Sequence, residues 1–154
     1  FLVRLERELR EAANQGSPLG VLFLDLDGFK QVNDQAGHLA GDRVLIEVAQ
    51  RFSRCLRTSD GIGRYGGGEF VILLPGCPET LIQVVAGRLQ QCLEHPIATS
   101  LGTFRLGVSI GAVVARGGVS AGTVLATADE LAYEAKRSGG GCTVVTTLDR
   151  GTPT

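Results

Sequence analysis

The stretch Gly20-Val21-Leu22-Phe23-Leu24-Asp25-Leu26-Asp27 constrains this chain more than any other. It is a short apolar run rich in Val, Leu and Phe, bounded by turn residues, and it reads as a strand buried on both faces. Such a strand belongs inside a sheet with helices laid over it. It also ends in two carboxylates, Asp25 and Asp27, which a purely structural core strand does not need.

The rest of the pattern fits that centre. Leu2, Leu5, Leu9, Ala12 and Ala13 recur at helical spacing over residues 1–15, and Gly16-Ser17-Pro18 ends the helix. A short helix is expected over 29–36 and a long amphipathic one over 41–57. Two strands follow, 61–65 and 69–74, with Gly66-Gly67-Gly68 between them as a hairpin signal. A helix runs from Pro78 to before Pro96, its first turn suited to proline. Residues 106–114 alternate bulky Leu106, Val108, Ile110, Ala112 and Val114 with small Gly107, Ser109 and Gly111, as a strand with one small face would. A helix over 124–135 and a strand over 142–147 complete the order. The expected class is α+β: a largely antiparallel sheet of about five strands flanked by helices. Residues 1–148 form one domain, read as a piece excised from a longer polypeptide, and 149–154 form a loose tail.

Composition narrows the function. The 154 residues carry 15 Lys+Arg against 16 Asp+Glu, a net charge of −1. A general nucleic-acid binder would be clearly basic, and so would a polybasic membrane anchor. No apolar run approaches the length of a membrane span. Cys55, Cys77, Cys92 and Cys142 form no CxxC pair, and His38 and His95 are the only histidines. A structural zinc site and a secreted disulfide framework are both disfavoured, and reduced thiols in the cytoplasm are expected.

Carboxylates at a strand end offer hard oxygen ligands to Mg²⁺, which commonly bridges to phosphate. A helix that starts just after the strand offers backbone N–H groups to an anion. A glycine hairpin lets a backbone approach a ligand closely. Each signal is weak alone, but their order and spacing are specific. The stretches Leu24–Asp34, Gly37-His38-Leu39-Ala40-Gly41-Asp42, Arg64-Tyr65-Gly66-Gly67-Gly68-Glu69-Phe70, Val108-Ser109-Ile110-Gly111 and Ala128–Lys136 together resemble the GGDEF family of diguanylate cyclases. These enzymes make cyclic di-GMP from two GTP, on a fold similar to the polymerase palm.

The resemblance implies roles position by position. The Asp25 carboxylate and the Leu26 carbonyl would bind metal. Asn33 and Asp42 would read the guanine edge of GTP, and Lys136 would contact its phosphates; Phe29 belongs to the same GTP site. His38 is expected to support the fold rather than to catalyse. Three positions depart from the family. Gly68 replaces the acidic metal ligand of GG(D/E)EF. Gly28 stands where a histidine or similar residue is usual, and Gly140 where an arginine serves the phosphates. Glu69, next to Gly68, is expected to point to the opposite face and so not to stand in. No catalytic set is then intact, and Gly66, Gly67, Gly68, Glu69 and Phe70 are vestigial.

A second site survives in the sequence. The family's product-inhibition signature is RxxD just before the glycine motif, here Arg57-Thr58-Ser59-Asp60. Chance would give about 0.6 such motifs somewhere in a chain of this composition, but only about 0.004 at one fixed offset. Arginine can donate two parallel hydrogen bonds to guanine O6 and N7, and aspartate can accept from its N1–H and N2–H₂. Arg88 matches the family's secondary arginine for this ligand. The expected function is therefore a catalytically degenerate domain that binds cyclic di-GMP as a receptor in bacterial second-messenger signalling. Neighbouring domains of the same chain, a partner protein or a homodimer would read the signal. The alternatives are a residual cyclase and a GTP-sensing or scaffolding module. Cyclic di-GMP binding would need no cofactor; Mg²⁺ or Mn²⁺ would matter only if GTP still binds.

Overall fold

The computed structural model describes residues 1–150. In chain order the elements are α1 (Leu2–Gln15), β1 (Leu19–Asp27), α2 (Phe29–Ala36), α3 (His38–Arg54), β2 (Gly61–Gly66), β3 (Glu69–Pro75), α4 (Glu79–Gln91), β4 (Ile97–Thr99), β5 (Gly102–Phe104), β6 (Gly107–Arg116), α5 (Ala121–Arg137) and β7 (Thr143–Asp149). β1 sits in the middle of a five-stranded sheet of order β2-β3-β1-β6-β7. Its pairings with β3 and β6 are antiparallel, as is β2 with β3; only β6 with β7 is parallel. The α+β class and the largely antiparallel sheet are as expected.

Helices cover both faces. Leu22, Leu24 and Leu26 of β1 join Phe70, Ile72 and Ile110 in a core closed by Val44, Val48 and Phe52 of α3 and Ile82 and Leu89 of α4. Val21 and Phe23 point the other way, with Val71, Leu73 and Val113, onto Leu5 and Leu9 of α1 and Val124, Ala128 and Ala132 of α5. The small face of β6 has a clear cause. A Cβ at Gly111 would run into the Ala128 carbonyl and the Ala132 amide of α5. The helix lies so close to the strand that only glycine fits there.

Several boundaries differ from the sequence pattern. The long helix begins at His38, not at 41, because Gly37 at φ 89° ends α2 and at once caps α3. His38 is exposed and packs into no core. The helix stops at Arg54, although Cys55 and Leu56 continue its apolar stripe and pack on the core. There the bonding tightens: Cys55 N–H donates to Phe52 and Leu56 N–H to Ser53. Arg57 and Asp60 therefore lie beyond the helix, in a turn. The β4–β5 hairpin was not expected; its strands are three residues each, too short for alternation to register. β7 extends through Asp149, so the tail does not start there, and residues 151–154 lie outside the described ones.

Glu79 ties α4 to the parallel edge. Arg116 donates to both of its carboxylate oxygens (Nη2 to Oε1 2.7 Å, Nε to Oε2 3.3 Å), and Thr147 Oγ1 donates to Oε2 at 3.3 Å. The hydrogen bond from Arg116, above all, holds the Glu79 carboxyl down at about 2 against an ordinary 4.5. A lowered carboxyl stabilises the fold above its ordinary value and loses that contribution as pH falls through the folded one. Thermal unfolding of the wild type and Glu79→Gln should differ above about pH 4.5 and converge as pH falls towards about 2. A gap that stays constant with pH would contradict this assignment.

Candidate functional site

The carboxyl end of β1 forms the site's floor. Register sets Glu69 of β3, Asp25 of β1 and Ser109 of β6 in one row across the sheet, so all three point to the α5 side. Asp27 lies two residues further along on the same face. Glu69 therefore stands beside Asp25, contrary to the sequence expectation. The reason is local. Gly67 and Gly68 form the turn, so strand alternation begins only at Glu69. A side chain at Gly68 would aim elsewhere: its Cβ would meet the Phe29 ring at 3.0 to 3.2 Å.

The two aspartates do different work. Asp27 accepts from Ser109 Oγ (2.8 Å) and from the Gly141 N–H (2.8 Å), and pairs with Lys136 Nζ at 3.3 Å. It closes β1 onto β6 and onto the turn after α5. Asp25 has fewer ties. Lys136 Nζ donates to Asp25 Oδ1 and to the Leu26 carbonyl, both at 3.1 Å. The ammonium thus bridges the two oxygens that the resemblance assigns to metal. Burial alone would lower Lys136, but the hydrogen bonds and charges of Asp25 and Asp27 outweigh it and raise the group above its ordinary value. Burial, then Asp25 and Asp129, push the Glu69 carboxyl up, with Lys136 pulling the other way.

These donors fit a nucleotide-borne Mg²⁺ only in part. One carboxylate and one carbonyl are the hard oxygens such an ion takes, with phosphates and water filling its shell. Among the described residues no group of three or more acidic or imidazole side chains converges on one point. Lys136 would have to give up its place between the two oxygens.

Two of the three departures from the family pattern have a backbone origin. Gly28 has φ 91° and Gly140 φ 75°, a region that side-chain-bearing residues rarely adopt. A Cβ at Gly140 would also press on the Asp27 carboxylate, at 2.9 Å from Oδ2. These glycines suit the conformation of the chain and are not simply deleted ligands. Gly68 has no positive φ, and its missing carboxylate is not explained in this way.

The base-reading pair lies to one side. Asn33 of α2 packs its amide oxygen into the space over Gly41, and Asp42 is exposed on the first turns of α3. Asp42 lines a groove with Leu45, Ile62, Arg64 and Phe70 between α3 and β2. The RxxD turn is separate again. Asp60 Oδ2 accepts the Arg57 backbone N–H at 2.8 Å, and Oδ1 accepts from Arg57 Nη2 at 3.1 Å. Nη2 also donates to the Pro75 carbonyl at 2.9 Å. The Asp60 side chain is 3% exposed and that of Arg57 is 57% exposed, so a buried anion presents an open guanidinium. Arg88 is exposed on α4, whose last turn meets the end of α3: Cys55 Sγ lies 3.8 Å from the Arg88 carbonyl.

With this geometry in hand, the comparisons with known proteins are decisive about kinship. The sequence profile described as "Diguanylate cyclase, GGDEF domain" matches residues 1–142. The chain belongs to the GGDEF family. It is 38% identical over 137 residues to the bifunctional diguanylate cyclase/cyclic di-GMP phosphodiesterase MucR of Pseudomonas aeruginosa, covering 88% of this chain and 20% of that protein. It superposes on the GGDEF domain of PA1120 (YfiN or TpbB) from P. aeruginosa with a TM-score of 0.89 and 34% identity, covering 97% and 94% of the two chains. The GGDEF domain of DgcB from Caulobacter crescentus, solved in complex with c-di-GMP, gives 0.86 at 26% identity, covering 93% and 86%. The chain spans only a fifth to a third of the length of the curated relatives it matches. No described helix is long and apolar enough to cross a membrane.

Sequence reasoning named Asp25, Leu26 and Lys136 but missed that Asp27 and Ser109 hold the floor together. The lone serine on the small face of the 106–114 strand was the available signal. The unequal roles of the aspartates are measurable by urea unfolding. Asp27→Asn should cost about 1–3 kcal/mol, because it weakens the bond to the buried Ser109 hydroxyl together with those to Gly141 and Lys136. Asp25→Asn should stay within about 1 kcal/mol, because its one ion pair is partly exposed.

Proposed function

We propose that this GGDEF domain is catalytically degenerate and binds cyclic di-GMP at the Arg57–Asp60 turn, with Arg88 as a further contact, serving as a receptor in bacterial second-messenger signalling. The carrying observation is the state of that turn. Asp60 is spent inside the protein on holding Arg57, while the Arg57 guanidinium stays open to solvent. With Nη2 engaged by Asp60 and the Pro75 carbonyl and Nε turned to Asp60, the guanidinium is held with Nη1 left to donate to guanine O6 or N7, and it loses little freedom in doing so. The c-di-GMP complex of the similar DgcB domain supports the choice of ligand.

The degenerate half of the reading rests on Gly68, since Gly28 and Gly140 answer to the backbone. A metal that activates the ribose hydroxyl and neutralises phosphate charge needs carboxylates at this end of β1. Here Lys136 supplies positive charge between Asp25 and Leu26 instead. If GTP still binds, Asn33 and Asp42 would read its base, with Phe29 beside them and Lys136 near the phosphates. Mg²⁺ or Mn²⁺ would accompany it at Asp25 and the Leu26 carbonyl. Cyclic di-GMP binding needs no cofactor. The domain would act in the cytoplasm, on a neighbouring domain, a partner protein or a second copy of itself.

The test is calorimetric titration of cyclic di-GMP into nucleotide-stripped protein. Saturable binding is expected, and Arg57→Ala should weaken it at least tenfold, the loss of about 1.4 kcal/mol. Absence of binding by the wild type would overturn the proposal. One observation favours a second reading, residual cyclase activity: Glu69 stands beside Asp25 and offers a second carboxylate. Incubation of the wild type with GTP and Mn²⁺ should yield no cyclic di-GMP. Product that disappears in Glu69→Gln would establish the second reading in its place.

A further inference from the structure

Gly61 and Gly63 lie two apart on the edge strand β2 and so face the same way. Neither has a positive φ, so backbone conformation does not call for glycine at either position. Neighbouring side chains do. The place of a Cβ at Gly61 is taken by the Arg4 guanidinium, with Nη1 at 2.5 Å and Cζ at 2.7 Å. The place of a Cβ at Gly63 is taken by the Phe1 ring, with Cδ2 at 2.7 Å. Residues 1 and 4 fall on one side of a helical turn, so the start of α1 sits in a trough made by the two glycines.

Arg4 reaches past the trough into the ligand turn. Its Nη2 donates to the carbonyl of Ser59 at 3.4 Å, between Arg57 and Asp60. Its Nε is buried without a hydrogen bond, the nearest carboxylate being Glu8 Oε1 at 3.8 Å. The side chain is therefore held mainly by the shape of the trough and by Ser59.

We infer that Arg4 is a positioning residue for cyclic di-GMP binding: by docking in the Gly61–Gly63 trough it fixes the 59–61 backbone, and so the turn that presents Arg57. The inference rests on the receptor reading above. Coupling of this kind is reciprocal, so ligand at Arg57 must in turn tighten α1 on β2.

Gly61→Ala isolates the contact. The added methyl displaces only the far end of a flexible side chain, at a φ that alanine tolerates. Amide hydrogen exchange over residues 2–8 without ligand, and calorimetry with cyclic di-GMP, are read at a temperature where every variant is folded. Gly61→Ala and Arg4→Ala should each speed exchange in that segment and weaken cyclic di-GMP binding about fivefold to tenfold. The double variant should add little to either single one. Arg4→Lys, which keeps a donor for the Ser59 carbonyl, should stay within about threefold of the wild type. Faster exchange with unchanged affinity would reduce Arg4 to a fastening and overturn the inference, as would unchanged exchange. A wild type that binds no cyclic di-GMP overturns the receptor reading itself, and its own titration distinguishes that failure from the others.

Discussion

β1 has no side that faces water. It is hydrogen-bonded on one edge to β3 and on the other to β6, and it buries Leu22 and Leu24 under α3 and α4 and Phe23 under α1 and α5. Everything else is arranged to satisfy that strand. Its only opening is the carboxyl end, where the apolar alternation gives way to Asp25 and Asp27. Charged groups can persist there because helices stop covering the sheet and Lys136 arrives from α5. The end of the sheet that carries the carboxylates is the place where the core runs out.

This constraint was legible in the sequence because a short, fully apolar run admits few positions in a protein. So was the hairpin, since three glycines between two strands leave little choice. The same glycines hid the orientation of Glu69. Alternation was counted through Gly68 as though it were strand, whereas the turn ends at that residue. The end of α3 was misread for the opposite reason: Cys55 and Leu56 are apolar and packed, yet their hydrogen bonds have left the α-helical pattern. Apolar spacing reports which side faces the core and says little about where the backbone changes its bonding.

The glycines show how far residue type alone can mislead. In the sequence, Gly28, Gly68 and Gly140 look like three missing functional groups around one triphosphate. In the fold, the first and last sit at left-handed backbone positions and the middle one faces an aromatic ring. Gly61, Gly63 and Gly111 are different again, each emptied to admit another part of the chain. A glycine-rich composition here records several close approaches. Only the backbone angle together with the neighbouring atoms tells them from loss.

The position of β1 also has a kinetic side. The strand is made early in the chain, but both of its partners come much later; Ser109, which closes on Asp27, is 82 residues away. No local hairpin can assemble the centre of the sheet. The chain must close long loops, at an entropic cost, before this central strand gains any pairing. Until then an apolar, aggregation-prone segment of the molecule is unpaired. Folding should be slow for a domain of this size, and the carboxylates that end β1 give that exposed strand a charged stop while it waits.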